Sequence, residues 1–160
     1  MPANLRPMKP DDKPSLMELL RATPEFKPYE VTVAEEVIDA YLKDPQGSGY
    51  HIIVAAGNPG GIAGYLCYGP TPCTDGTWDF YWEAVRREKR GQGIGSALSK
   101  AAEAAVRKAH GRLILVETSS TPGYENTRRF HLHHGYEVVS RIPDFYSPGD
   151  DRITMQKRLR

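Results

Sequence analysis

Between Thr77 and Ala109 the hydrophobic period of the chain changes from two to that of a helix, and the change is made across Arg90-Gly91-Gln92-Gly93-Ile94-Gly95-Ser96. Ahead of the glycines, Thr-Trp-Asp-Phe-Tyr-Trp-Glu-Ala-Val from Thr77 to Val85 reads as a strand. Behind them a helix is predicted from about Gly93 to Ala109, with Ile94, Leu98, Ala101, Ala105 and Ala109 on its buried stripe. Glycines let the backbone bend tightly and leave no Cβ in the way of a ligand. The first N–H groups of a helix have no partner inside it, and the positive end of the helix dipole lies behind them. A strand-to-helix corner of this composition is therefore a candidate pyrophosphate cradle. The plainer alternative is a turn that packs a helix on a sheet.

Charge sharpens the contrast. The chain has 21 Lys/Arg and 20 Asp/Glu, a net +1, yet residues 1–85 hold 6 basic and 12 acidic side chains. Residues 86–112 hold 8 basic residues against Glu88 and Glu103. A basic block in an otherwise acidic or neutral chain points to a polyanion, either nucleic acid or a phosphorylated small molecule, unless it is simply a solvated helix face. No aromatic residues interleave with the block, so nucleic acid is not the expected partner. A P-loop would need Lys after its last glycine, and none follows Gly95. A dinucleotide fingerprint would need glycine where Ser96 stands. Glu117 falls where the ribose-binding acid of that fold would, but the antiparallel meander ahead of the glycines is wrong for it.

With 160 residues the expectation is one domain, residues 1–160, large enough to bury a core. No stretch has the length and apolarity of a membrane span, and the N-terminal segment has no apolar signal region, so a cytoplasmic address is expected. Cys67 and Cys73 alone build neither a disulfide framework nor a metal site. The elements predicted are a strand over 4–8, a helix over 14–22 capped by Asp11 and Asp12, and a helix capped by Thr32 that ends at Asp44. Strands over 51–56, 61–68 and 77–85 follow, the first two joined by Gly57-Asn58-Pro59-Gly60. After the glycine helix come a buried strand over 112–118, a helix from Pro122 to His134 stopped by Gly135, and strands over 136–141 and 152–159. The order β-α-α-β-β-β-α-β-α-β-β defines an α/β class of α+β type, with one right-handed crossover and a parallel pair.

Arg90-Gly91-Gln92-Gly93-Ile94-Gly95, preceded by Trp82-Glu83-Ala84-Val85 and followed by Ser96-Ala97-Leu98, resembles the coenzyme A signature of the GNAT superfamily of acyl-CoA-dependent N-acyltransferases. Asn126-Thr127-Arg128-Arg129-Phe130-His131-Leu132-His133-His134-Gly135-Tyr136 is similar to a second motif of that family, and the element order agrees over residues 3–159. The resemblance implies a mixed, mostly antiparallel central sheet flanked by helices. Its fourth strand would carry a bulge and splay from the fifth, with acetyl-CoA as cosubstrate and an amine as acceptor. It implies that the Val85 N–H faces the thioester carbonyl and that backbone groups of Val85 and Arg87 pair with pantetheine. Arg90 and the turn through Gly91, Gln92, Gly93, Ile94, Gly95 and Ser96 would hold the pyrophosphate, and Asn126 would touch the pantetheine arm. A protein N-terminal acetyltransferase, or a coenzyme-binding module with weak turnover, fits the same motifs. A homodimer is compatible with the resemblance, whereas no membrane partner and no metal is expected.

Acyl transfer to an amine needs a group to take the amine's proton, donors for the developing oxyanion and a proton for the departing thiolate. Strand alternation predicts Asp79, Tyr81, Glu83 and Val85 on one face, so Asp79 and Glu83 are the candidate bases. Asp79 is alternatively a binder of the acceptor, and Glu83 a partner for a nearby arginine. Trp78, Phe80 and Trp82 would fill the core on the opposite face. His131 stands where the family usually has a tyrosine proton donor, and is either the general acid or a helix residue, with Tyr124 and Tyr146 as fallback donors. Phe26 and Tyr29 lie where the family binds acceptors, or in the core. Cys67 is expected in the core, and no covalent acyl-enzyme is required.

Overall fold

A computed structural model describes residues 4–57 and 60–160, so Asn58 and Pro59 of the first hairpin connection lie outside it. In chain order the elements are β1 (Asn4–Pro7), α1 (Lys13–Ala22), α2 (Pro28–Lys43), β2 (His51–Ala56), β3 (Ile62–Pro70), β4 (Thr77–Val85), α3 (Ile94–Lys108), β5 (Leu113–Ser119), α4 (Glu125–His133), β6 (Glu137–Ser147) and β7 (Asp150–Arg158). The strands form one seven-stranded sheet in the order β1-β2-β3-β4-β5-β7-β6. Every neighbouring pair is antiparallel except β4 and β5, which run parallel across the α3 crossover. Among the described residues no helix is long and apolar enough to cross a membrane.

Each sheet face has its own core. Leu16, Leu19 and Leu20 of α1 and Ile38 and Tyr41 of α2 pack on Ile52, Val54, Tyr65 and Cys67. On the other face Ile94, Leu98, Ala102 and Val106 of α3 pack against Leu66, Phe80, Ile114 and Met155. The α3 stripe differs from the expected one, because Ala101 and Ala105 are half-buried and Ala109 is exposed, while Ser99, Ala102, Glu103 and Val106 are buried. Polarity concealed two of these positions. Ser99 is satisfied by Glu83, and Glu103 accepts the Lys157 ammonium at 2.9 Å.

Two predicted caps are also corrected. Pro28 opens α2, as suits a residue with no N–H to leave unpaired, and Thr32 lies inside the helix with its hydroxyl donating to the Pro28 carbonyl. Asp12 makes no side-chain cap on α1. Its carboxylate instead accepts the Lys9 N–H and the Arg6 guanidinium, both at 2.7 Å.

The feature of the sheet that matters most for function is in β4. Cys67 pairs with Trp82 and Tyr68 with Phe80, so Tyr81 is the extra residue of a β-bulge. Alternation therefore resets in mid-strand. Trp78 and Phe80 face α3, whereas Trp82 and Ala84 face α1 and α2. The three aromatics expected on one face are split, and so are the carboxylates: Asp79 lies on the α1–α2 face, and Glu83 turns to α3. The parallel pairing of β4 with β5 also stops early, covering only Thr77–Phe80 and Leu113–Val116. Beyond it the two strands part, as the resemblance implied.

Candidate active site

Among the described residues, the parting leaves Tyr81 to Val85 with no strand neighbour on the β5 side. The Arg86 N–H donates to the Ala63 carbonyl of β3 at 2.8 Å. Because backbone groups alternate sides along a strand, the N–H and C=O of Val85 are directed away from β3, into the gap. The Val85 carbonyl there accepts Arg90 Nε at 3.2 Å. The Val85 backbone, on which the resemblance puts contacts to the cosubstrate, is thus turned into the gap.

The glycine corner stands at the mouth of this gap. Gly91 and Gly93 have φ of 78° and 82°, a left-handed conformation that strains any side chain. A Cβ on either would meet nothing within 4 Å, so their backbone lies open to an approaching group. Gly95 has a different reason to be glycine, since its Cβ would sit 3.3 Å from a Glu83 oxygen and 3.5 Å from the Phe130 ring. Gly93 is the N-cap of α3 and no side chain caps the helix, so the N–H groups of Ile94, Gly95 and Ser96 are free to bind an anion. Open backbone, uncapped amides and a helix dipole suit a diphosphate.

The basic block contributes less than its sequence promises. Arg86 donates to the Ile62 carbonyl at 2.6 Å and pairs with Glu18 at 3.0 Å, and Arg90 is held by Glu25 at 3.3 Å. Arg107 and Arg112 bind the Leu159 and Asp75 carbonyls at the opposite end of α3. Arg87 and Gln92 are exposed beside the cradle, and Asn126 is exposed on the first turn of α4.

On the α3–α4 side of the gap, Glu83 is half-buried and both its oxygens accept the Ser99 hydroxyl at 3.3 Å. Its partner is thus a serine and not an arginine. Burial pushes the carboxyl up to about 8, against the opposing pull of the Ser99 hydrogen bond. His131 is 6% exposed, with its ring edge-on to Phe130 and Tyr136 at 5.4 and 5.3 Å. Burial, and then the neighbouring His134, push its imidazole down to about 4, so it is neutral at neutral pH. His134 bridges the two helices, its Nδ1 lying 2.7 Å from the Phe130 carbonyl and its Nε2 2.9 Å from Ser96 Oγ.

The opposite side carries Asp79, whose carboxylate accepts the Thr71 hydroxyl at 2.7 Å, and the bulged Tyr81, 37% exposed. Asp79 is registered on Leu115, which places Glu117 on the same face, one step past the last β4–β5 pair. Among the described residues, Glu117 has only a long contact to Arg152, at 3.7 Å. Burial, then Asp79, Tyr50 and Glu117, push the Tyr81 hydroxyl up to about 12. Tyr124 donates to the Glu25 carbonyl at 2.9 Å, and burial holds its hydroxyl far above the usual range. Tyr81, Glu117 and His134 were not expected as site residues. The signal for Glu117 was there: a parallel crossover puts alternate residues of β5 beside Asp79. Cys67 is buried with its thiol pushed up to about 12, which leaves it inert as a nucleophile. Among the described residues, no three His, Cys, Asp or Glu side chains converge as metal ligands.

A seven-stranded sheet that opens between its one parallel pair, beside an uncapped glycine-rich helix start, defines a coenzyme-dependent acyl-transfer fold. A family model described as the acetyltransferase (GNAT) domain matches residues 48–138. The crystal structure of a GNAT-family acetyltransferase from Desulfovibrio desulfuricans shares 36% identity with a TM-score of 0.95, over 99% of this chain and 100% of that one. The chain belongs to the GNAT acetyltransferases, a family that takes acetyl-CoA as cosubstrate. The fold is shared with an aminoglycoside 6'-N-acetyltransferase solved with coenzyme A, at 20% identity and TM-score 0.77 over 98% of this chain and 97% of that one. It is shared too with the ribosomal-protein-S18-alanine N-acetyltransferase of Escherichia coli, at 15% identity and TM-score 0.77 over 99% and 94% of the two chains. No curated protein sequence matches.

Proposed function

We propose that the chain is an N-acetyltransferase that moves the acetyl group of acetyl-CoA to a primary amine by direct attack, in the cytoplasm. The observation that carries this reading is the parting of β4 from β5 beside the α3 amides. One opening presents free N–H groups to a diphosphate, an unpaired strand edge to an extended amide arm, and carboxylates to an amine. The cosubstrate supplies an activated acetyl group on a thioester. The amides of Gln92 to Ser96 hold its diphosphate, with Arg87 and Arg90 beside them, and Asn126 borders the arm. The Val85 N–H faces the carbonyl oxygen that gathers charge, and stabilises it.

The bulge decides how the proton is handled. It turns Glu83 toward α3 and leaves Asp79, Tyr81 and Glu117 on the α1–α2 face, from which the amine enters. Asp79 and Glu117 make that face suited to a cationic acceptor. Asp79, braced by Thr71, holds the ammonium group, and Glu117, loosely paired, takes its proton directly or through a water. The amine nitrogen bonds the acetyl carbon as the C–S bond breaks, and the coenzyme A thiolate leaves to take its proton from solvent. His131, buried and neutral, shapes the end of α4 against Phe130 and Tyr136. The free thiols of Cys67 and Cys73 suit a reducing compartment, and β6, exposed along its whole length, is the edge on which a second copy would pair.

The test is acetyl-CoA-dependent release of thiol with a panel of polyamines, amino sugars and peptide N-termini. Coenzyme binding without turnover on any of them would make the chain a binding module instead. With an accepted amine, Glu117→Gln is expected to lower kcat about 10²- to 10⁴-fold while leaving acetyl-CoA affinity by calorimetry unchanged. Asp79→Asn is expected to raise the amine KM. A Glu117→Gln enzyme at full rate would move the base elsewhere.

A further inference from the structure

The two hydrogen bonds of His134 fix where its proton lies. A carbonyl oxygen can only accept, so Nδ1, 2.7 Å from the Phe130 carbonyl, carries the hydrogen. In the neutral ring Nε2 then has only a lone pair, and the contact of 2.9 Å to Ser96 Oγ is donated by serine. The one proton of Ser96 is thereby committed to α4. Yet Ser96 is the third residue of α3, in the turn whose free amides face the open corner. A phosphate oxygen arriving there needs donors, and the Ser96 hydroxyl would show it lone pairs.

We propose that His134 is a positioning residue of the coenzyme site: when a diphosphate settles on α3, Nε2 of His134 takes up a proton from water, its hydrogen bond to Ser96 reverses, and the serine hydroxyl turns its own hydrogen to the phosphate. The imidazolium adds a positive charge behind the serine. The proton comes from bulk solvent and returns to it on release, and apart from this Nε2–H bond no covalent bond forms or breaks. This inference rests on the reading that α3 holds the coenzyme diphosphate.

The surroundings of His134 bear on the proton. On α4 itself are His133, with ring centroids 5.5 Å apart, and His131, which stays neutral. From α3 come Ser96 and, one turn further on, the exposed Lys100. From β4, Glu83 lies beside Gly95 and Phe130, and from β7 the Lys157 ammonium approaches Gly135 but is held by Glu103 at 2.9 Å. His134 alone among these groups touches the cradle serine.

The experiment is calorimetric titration of the full chain with dephospho-CoA, which lacks the 3'-phosphate that would titrate in the same range. It is run at pH 7 in PIPES and in Tris, buffers of different ionisation enthalpy, and then from pH 6 to 8. The wild type is expected to take up a fraction of a proton on binding, and its dissociation constant to rise with pH by up to about tenfold per unit. His134→Gln and Ser96→Ala are each expected to bind with no such uptake and with a flat pH profile. Ser96→Ala keeps the test available should the His134 variant fold poorly. If His134 merely braced α4, its loss would weaken binding equally at every pH. No uptake in the wild type, or the same uptake in both variants, overturns the coupling alone. Failure of dephospho-CoA to bind at any pH overturns the coenzyme reading with it.

Discussion

Glu83 and His131 sit within one small region, and burial moves them in opposite directions. The Glu83 carboxyl rises from 4.5 to about 8, so between those values the folded chain holds a proton that the unfolded chain has released. Its contribution to stability is full below 4.5 and disappears as pH climbs to about 8. The His131 imidazole falls from 6.5 to about 4, so within that window the unfolded chain binds the extra proton, and stability increases with pH. The two effects oppose each other up to 6.5, above which only Glu83 acts. The melting temperature of the coenzyme-free protein is therefore expected to fall between pH 6.5 and 8, and Glu83→Gln to level that fall. An equal slope in the variant would assign the fall to another group. The residue types were legible: Asp79, Glu83 and His131 stood out as candidates. Their surroundings were not, because burial and partners come from other elements, as the Ser99 hydroxyl of α3 on Glu83 of β4 shows.

At the scale of elements, the glycine corner was readable in full. Left-handed backbone, helix start and lack of a cap are local properties, set within a few residues of Gly93. Gly93→Glu is expected to leave the protein folded, since its Cβ has open space around it. The left-handed φ should cost about 1–2 kcal/mol, a melting shift of about 2–8 °C. Coenzyme binding should vanish, because a carboxylate would stand among the amides proposed for the diphosphate. Calorimetry and a thermal melt on the same sample check both halves, and unchanged affinity would remove the cradle from α3. Strands were nearly as plain, with β2 and β4 read to the residue. The resemblance implied a bulge in the fourth strand but not its position at Tyr81, which shows only in the register against β3, and strict alternation placed Glu83 on the same face as Asp79.

Across the whole molecule, Arg86 ties the site to the sheet. Its side chain reaches the Ile62 carbonyl, Glu18 and the Ser15 hydroxyl, and so joins β4 to β3 and α1. Arg86→Ala takes the Nε donor from the partly buried Ile62 carbonyl and leaves Ser15 Oγ with only the Ile62 N–H, and a loss of about 1–3 kcal/mol is expected by urea denaturation. Coenzyme affinity should change little, because Arg86 faces inward; a large drop in affinity at unchanged stability would place it in the cradle instead. Its use in holding the fold also explains why the basic block overstated the charge available to a ligand.

Element order, the glycine corner and the parallel crossover were settled by the order of amino acids, because periodicity, turn chemistry and helix starts act over a few neighbouring residues. Tertiary structure alone decided which carboxylates share a face, which arginines remain free and which helix end Ser96 is bonded to. Those outcomes depend on strand register and on contacts between segments far apart in the chain, which a linear pattern does not encode.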